Sequence, residues 1–219
     1  MTRIQLARLI DHTLLRADAA RPDIVALCDA AIECGFAAVA VNPVWTAFCA
    51  QRLAGSGIGV DPTIGFPLGA TTAHVKVEET REAIANGATE IDMVINIGAL
   101  KSGYPQFVEK EIASVVHAAG KTPVKVIMET CYLDDAEKVA VCEMCMRAGA
   151  AFVKTSTGFG SGGATVEDVR LLRQTVGRKL GVKAAGGIRT YADACAMLDA
   201  GADRLGTSAG VQILAEAPE

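Results

Sequence analysis

Residues 34–41 read CGFAAVAV, a glycine that ends a helical pattern and leads into a short apolar run. Glycine suits the left-handed residue that ends a helix, and the apolar run predicts a buried β-strand. The same order recurs around Gly87, Gly149 and Gly201. The four predicted strands are residues 37–41, 90–95, 151–155 and 203–207. The glycines are 52, 62 and 52 residues apart, which suits two strand-helix units per interval because a βαβ crossover takes about 30 residues.

Four more apolar runs lie before or between these strands, at residues 10–15, 58–65, 123–129 and 182–186. Eight strands that alternate with helices are typical of an α/β protein, and their number predicts a (β/α)8 TIM barrel with a short N-terminal helix. A doubly wound open sheet is the alternative. Because no linker or low-complexity segment divides the chain, we expect residues 1–219 to form a single domain.

The composition narrows the classes of function. The chain has 25 acidic and 21 basic residues, and this net charge of −4 argues against a nucleic-acid-binding surface. No stretch approaches the roughly 18 apolar residues of a membrane span, and the first residues lack the apolar core of a signal peptide. The odd number of cysteines, seven, argues against a disulfide framework. We therefore expect a soluble, cytoplasmic protein that binds neither nucleic acid nor membrane.

Charged residues inside apolar strands point to the chemistry. Lys154 and Lys183 lie on two predicted strands and Asp92 on a third, so we expect a buried charged cluster. A lysine is nucleophilic only as the neutral amine, which requires its pKa to fall by about 3 units from about 10.4. Burial and a second nearby cation can cause that fall, so this set predicts Schiff-base chemistry on a carbonyl compound. Lys125, by contrast, is predicted to be a solvated strand lysine or a partner in a structural ion pair.

Glycines lie at or just beyond the carboxyl ends of the last three predicted strands and predict a phosphate site made of backbone N–H groups. This set comprises Gly158, Gly186, Gly187 and Gly206, with Ser208 close behind the last of them. Residues 158–163 also match G-x-G-x-x-G, but the strand roughly 20 residues later carries no acidic residue, which argues against a dinucleotide.

Neither a metal nor another cofactor is expected. Cys142 and Cys145 form a single C-x-x-C pair inside a predicted helix, without a second pair or spaced histidines. His12 lies on the first predicted strand, where we expect a hydrogen-bonded structural role.

Four segments, at residues 10–15, 90–96, 153–159 and 182–189, resemble deoxyribose-phosphate aldolases, and the likeness extends over about residues 9–214. The resemblance implies a metal-free class I aldolase with a TIM-barrel fold. Such an enzyme reversibly cleaves 2-deoxy-D-ribose 5-phosphate to D-glyceraldehyde 3-phosphate and acetaldehyde in deoxynucleotide catabolism. By the same analogy, the chain would form a homodimer or homotetramer.

The resemblance also assigns roles to residues. Lys154 would be the Schiff-base nucleophile, Lys183 would lower its pKa, and Asp92 would join Lys183 in proton transfer. The predicted phosphate residues Gly158, Gly186, Gly187, Gly206 and Ser208 would surround the substrate phosphate, while Asp11 and Thr13 would lie near the site.

Three departures from that family are visible. Ala40 replaces a cysteine of many relatives, Phe159 replaces a lysine that some members carry beside the phosphate, and the tail at residues 217–219 lacks a terminal tyrosine. Two alternatives to this function stay open. One is another imine-forming barrel, such as a transaldolase-like or keto-acid aldolase, and the other is a non-catalytic barrel that binds a phosphorylated ligand.

Overall fold

The computed structural model describes residues 1–218, so Glu219, the last residue of the predicted domain, lies outside the described residues. Eight parallel strands follow one another around a closed barrel, and the first strand pairs with the last. They are β1 Ile10–Leu14, β2 Ala38–Val41, β3 Gly59–Ile64, β4 Ile91–Val94, β5 Val124–Ile127, β6 Phe152–Lys154, β7 Gly181–Ala185 and β8 Arg204–Thr207. The closure confirms the predicted TIM barrel over the open sheet.

Helices alternate with the strands. The helices of the described residues are α1 Arg3–Ala7, α2 Arg21–Cys34, α3 Thr46–Arg52, α4 Ala73–Ala85, α5 Ile97–Lys101, α6 Pro105–Ala119, α7 Asp135–Ala148, α8 Val166–Val176, α9 Tyr191–Asp199 and α10 Gly210–Glu216. The short N-terminal helix is present as α1. Gly35 and Gly149 end α2 and α7 with left-handed backbones, as predicted. None of the helices within residues 1–218 has the length and apolar character needed to cross a membrane.

Each strand divides its side chains between two faces, because successive residues of a strand point in opposite directions. On β4, Ile91 and Met93 belong to the apolar core between barrel and helices, whereas Asp92 faces the barrel interior. On β7, Val182 joins the same apolar core and Lys183 faces inward. The outward-facing apolar residues of the strands therefore pack against the helices. The inward-facing charged residues form the floor of the candidate site.

Candidate active site

Strand register brings the two predicted lysines together. Lys154 is the last residue of β6, and its register partner on the neighbouring strand β7 is Lys183. Asp92 lies across the barrel interior on β4. The sequence therefore predicted correctly that these three side chains share one buried cluster.

One oxygen of Asp92 joins both lysines. Its Oδ2 lies 2.5 Å from Lys154 Nζ and 2.7 Å from Lys183 Nζ. Burial raises the pKa of Asp92, but the three surrounding lysines, with Lys125 as the third, outweigh burial and hold that pKa well below its usual range. Asp92 is thus a stable carboxylate that bridges the two cations.

The two lysines have opposite pKa shifts. Burial lowers the pKa of Lys154, and the attraction of Asp92 opposes this effect while the charge of Lys183 adds to it, so the net shift is downward. Burial also disfavours the charge on Lys183, but contacts with Asp11, Asp61 and Asp92 raise its pKa well above the ordinary value. Lys154 is therefore the better candidate for a neutral amine, and Lys183 for a permanent cation.

Eight charged side chains, here called the barrel charge network, continue from this point through the interior. Its cations are Lys125, Lys154, Lys183 and Arg204, and its anions are Asp11, Asp61, Glu90 and Asp92. Ion pairs of 2.5–3.1 Å connect them. With all groups ionised, the four positive and four negative charges balance.

Lys125 differs from one of its two predicted environments. It is fully buried and contacts Asp61 at 2.8 Å, Glu90 at 2.5 Å and Asp92 at 3.1 Å. The solvated alternative is therefore wrong and the ion-paired one is confirmed, because a closed barrel has no solvated strand edge. These contacts outweigh burial and raise the pKa of Lys125.

A cavity of about 320 Å³ opens above the network, at the carboxyl ends of β6, β7, β8 and β1. Among the eight charged side chains of the network, only Lys154 lines this cavity. Six of the residues predicted to bind substrate also line it: Thr13, Gly158, Gly186, Gly187, Gly206 and Ser208. A cavity of this size suits a small metabolite.

Asp11 lies in the floor of the site, below the cavity. Its side chain is fully buried, and its two oxygens contact Lys183 at 2.6 Å and Arg204 at 3.0 Å. Thr13, two residues further along β1 on the same face, reaches the cavity instead. Asp11 thus belongs to the floor of the site and contacts Lys183, not the cavity.

Two glycines create space that a side chain would fill. Gly186 has a φ of +87°, and a Cβ there would lie 3.1 Å from the Cα of Gly163. At Gly206 a Cβ would lie 3.0 Å from Ala185 and 3.2 Å from Lys183 Cε. Gly186 therefore shapes the cavity wall, whereas Gly206 leaves room for the Lys183 side chain.

The loop after β6 is fixed by a residue that the sequence did not single out. Glu129 has a φ of +56°, and its buried carboxylate accepts hydrogen bonds from the N–H of Thr157 at 3.1 Å and from the Thr157 hydroxyl. The same hydroxyl accepts the N–H of Phe159 at 3.0 Å. Glu129 therefore sets the path of the loop that carries Gly158.

The cavity rim combines cations and the aromatic ring of Phe159. Arg16 and Arg189 both line it, and Arg16 was missed because it lies just beyond the segment at residues 10–15 that carries the resemblance. Phe159 stacks edge-on against Phe66, with ring centroids 5.3 Å apart. Where some relatives carry a lysine, this chain therefore presents an aromatic ring, and the arginines supply positive charge.

Possible metal ligands lie within the network. Carboxylate oxygens of Asp11, Asp61 and Glu90 lie within 4.8 Å of one another. The ammonium groups of Lys125 and Lys183 lie 2.5–2.8 Å from these same three carboxylates. The residues present therefore suit these resident cations better than an added metal ion.

Comparisons with known proteins find relatives along almost the whole chain. The family model described as DeoC/LacD family aldolase matches residues 6–216. A deoxyribose-phosphate aldolase of Streptococcus pneumoniae strain CGSP14 is 58% identical over 211 residues, which cover 96% of each chain. The tetrameric deoxyribose phosphate aldolase of Aeropyrum pernix is 35% identical with a TM-score of 0.92, over 98% of this chain and 91% of that one. An aldolase designated QR15 is 39% identical with a TM-score of 0.93, over 96% and 95% of the two chains.

Proposed function

The chain belongs to the DeoC/LacD family of aldolases, and from this membership we propose that it is a class I deoxyribose-phosphate aldolase. Its reaction is the reversible cleavage of 2-deoxy-D-ribose 5-phosphate to D-glyceraldehyde 3-phosphate and acetaldehyde. The observation that carries this proposal is Lys154, the one network cation on the cavity wall and a lysine with a lowered pKa. The name of the Streptococcus relative supports the choice of substrate.

Lys154 is the nucleophile of this reaction. Its neutral amine attacks C1 of the open-chain sugar, and the carbinolamine loses water to form an iminium ion. The iminium withdraws electrons, so the C2–C3 bond breaks and its electron pair moves into an enamine. Protonation of that enamine at C2 and hydrolysis of the resulting iminium release acetaldehyde and restore the amine.

Asp92 and Lys183 move the protons of these steps. Cleavage requires the C3 hydroxyl to lose its proton as the aldehyde of glyceraldehyde 3-phosphate forms. Asp92 lies 2.5 Å from Lys154 Nζ, where it can accept that proton directly or through water, while the charge of Lys183 stabilises the carboxylate.

The phosphate binds to the glycine-rich part of the cavity wall. Gly158, Gly186, Gly187 and Ser208 line the cavity and offer backbone N–H groups, and Arg189 adds a positive charge. Phe159 contributes no charge, so binding depends on these N–H groups and on the arginine.

Assembly, compartment and domain organisation complete the proposal. We propose a homo-oligomer, a dimer or a tetramer, because the Aeropyrum relative is described as tetrameric. The seven cysteines are unpaired, which suits the reducing cytoplasm. Pairing of β1 with β8 closes the barrel between the two ends of the chain, which supports one domain. Light scattering on the purified protein tests the oligomer, and limited proteolysis tests the single domain.

A donor comparison tests the function. The purified protein is incubated with 2-deoxy-D-ribose 5-phosphate, and acetaldehyde is measured through its reduction by an NADH-dependent alcohol dehydrogenase. We expect acetaldehyde release by the parent and by Lys101→Leu, a surface control, and none by Lys154→Leu. Cleavage of a keto acid or a ketose phosphate in place of this sugar would favour the other imine-forming aldolases, and binding without any cleavage would favour the non-catalytic barrel.

A further inference from the structure

Asp61 is a buried carboxylate that the proposed mechanism does not use. It lies on β3, is fully buried, and belongs to the barrel charge network. Its Oδ2 lies 2.8 Å from both Lys125 Nζ and Lys183 Nζ. Its Oδ1 has no hydrogen-bond partner among residues 1–218, as is also true of one oxygen each of Asp11, Glu90 and Asp92, but both ion pairs of Asp61 use Oδ2. The anion is therefore held through one oxygen only.

The other three carboxylates of the network are held through both oxygens. Each of their six oxygens lies within 3.1 Å of a lysine or arginine nitrogen; the residues are Asp11, Glu90 and Asp92. A carboxylate gains less from its surroundings when only one of its oxygens lies beside a cation. Asp61 is therefore the network carboxylate that most readily takes up a proton.

The charge balance of the network indicates when that proton is needed. The four cations and four anions balance while Lys154 is an ammonium ion or an iminium ion. When Lys154 is the neutral amine required for attack, one negative charge is left in excess in the buried interior. A neutral carboxyl group among the four anions would restore the balance.

We propose that Asp61 stores the proton that Lys154 gives up before it attacks the substrate. Lys183 gives a proton to Asp61 and takes one in its place from Asp92, which in turn receives the proton of Lys154. The net change converts the Lys154 ammonium and the Asp61 carboxylate into an amine and a carboxylic acid, with Asp92 and Lys183 unchanged. When the carbinolamine loses water and the iminium forms, the proton returns by the same path and the hydroxyl leaves as water.

This proposal rests on the proposed Schiff-base function, and Asp61 acts only through Lys183 and Asp92. It is therefore a positioning residue for charge and not a catalytic residue. Burial, together with the charge of Asp92, raises the pKa of Asp61 to about 6 against the attraction of its two lysines. The titratable groups that face it are Asp11 from β1, Asp92 from β4, Lys125 from β5 and Lys183 from β7.

Infrared difference spectroscopy on the intact enzyme tests the proposal at about pH 6, where a large fraction of Asp61 carries a proton. Spectra are recorded before and after saturation with acetaldehyde that carries carbon-13 at its carbonyl, which displaces the band of the reagent. We expect the parent to lose the carbonyl band of one protonated carboxyl group as the adduct forms. Thr63→Val, which removes a buried hydroxyl two residues along the same strand, serves as the matched control and should lose the same band.

Asp61→Asn provides the assignment. The spectrum of this variant should lack the band change. The acetaldehyde concentration at which half of the protein carries the adduct should rise about tenfold, because the iminium then leaves one positive charge in excess in the network. Borohydride reduction and mass spectrometry measure the adduct independently in each sample. An adduct on Lys154 without loss of the band in the parent would overturn the proton store alone, and so would a band loss that persists in Asp61→Asn. If no adduct forms on Lys154 in the parent, the proposed function itself fails. If Asp61→Asn does not fold, the parent still tests the proposal, because an adduct without loss of the band overturns it.

Discussion

Replacement of Lys183 by methionine should make Lys154 a weaker nucleophile by raising its pKa. The two Nζ atoms lie 2.5 Å and 2.7 Å from the same oxygen of Asp92, so they are at most about 5 Å apart. Two unit charges about 5 Å apart repel by about 3 kcal/mol at an effective dielectric constant of about 20. That repulsion corresponds to about 2 pKa units, so its loss leaves about 100-fold less neutral amine at neutral pH.

The assay follows adduct formation as a function of pH. Acetaldehyde and borohydride are added at a series of pH values, and the mass of the intact protein reports the trapped fraction. For Lys183→Met the trapping rate should reach its maximum at a pH about 2 units higher than for the parent. At a pH well above the raised pKa of Lys154, the parent and Lys183→Met should form the trapped adduct at similar rates.

Lys125→Met is the control for loss of a buried cation. Lys125 contacts Oδ1 of Asp92, whereas Lys154 contacts Oδ2. Removal of Lys125 should therefore shift the pH profile of trapping less than removal of Lys183 does. Each variant also removes one cation from the buried network and leaves its carboxylates with fewer partners and one negative charge in excess, which costs about 3–5 kcal/mol of stability, so folding is checked by circular dichroism. An unchanged profile in Lys183→Met, or an equal shift in both variants, would refute the assignment of the pKa effect to Lys183.

Three further predictions concern other parts of the molecule. Gly186→Ala should raise KM for the phosphorylated sugar about tenfold and cost about 1–3 kcal/mol of stability, because its φ of +87° strains any side chain; steady-state kinetics and urea unfolding measure both. Lys76→Met breaks a fully buried ion pair of 2.7 Å with Glu111 and should cost about 3–5 kcal/mol in urea unfolding, while kcat per folded molecule stays unchanged; a loss of kcat would place this pair in the active site. Below about pH 4 the urea midpoint should fall. The network cations outweigh burial and lower the folded-state pKa values of Asp11 and Asp92. The stability that these carboxylates contribute is present above their unfolded pKa of about 3.9 and is lost as the pH falls through the folded values. A urea midpoint that rises with acid would contradict these shifts.

The fold was accessible to sequence reasoning because its signals are local. Each strand is a short apolar run, and Gly35 and Gly149 mark helix ends whose left-handed backbone few other residues adopt. The central site residues were accessible for the same reason. Lys154 and Lys183 are charged residues inside such runs, and the barrel requires consecutive strands to be neighbours.

The remainder of the network depends on contacts between distant parts of the chain. Asp61 contacts lysines that lie 64 and 122 residues away in the sequence. It precedes Pro62 in an apolar run, and no motif around it indicates a functional carboxylate. The environment of Lys125 became clear only from the register that pairs it with Asp92. The sequence also did not show which of the inward-facing residues of β1, Asp11 or Thr13, reaches the cavity. Sequence patterns fix the face on which a side chain lies, whereas its partners across a barrel depend on register and tilt.

The central claim is that Lys154 forms an imine, and mapping of the trapped lysine tests it most directly. The protein is incubated with acetaldehyde, reduced with borohydride, digested, and analysed by mass spectrometry. We expect one reduced ethyl group per chain, on the peptide that contains Lys154, and no such group on the buried Lys125 or Lys183. An adduct on another lysine, or a protein whose mass is unchanged after reduction, would contradict it.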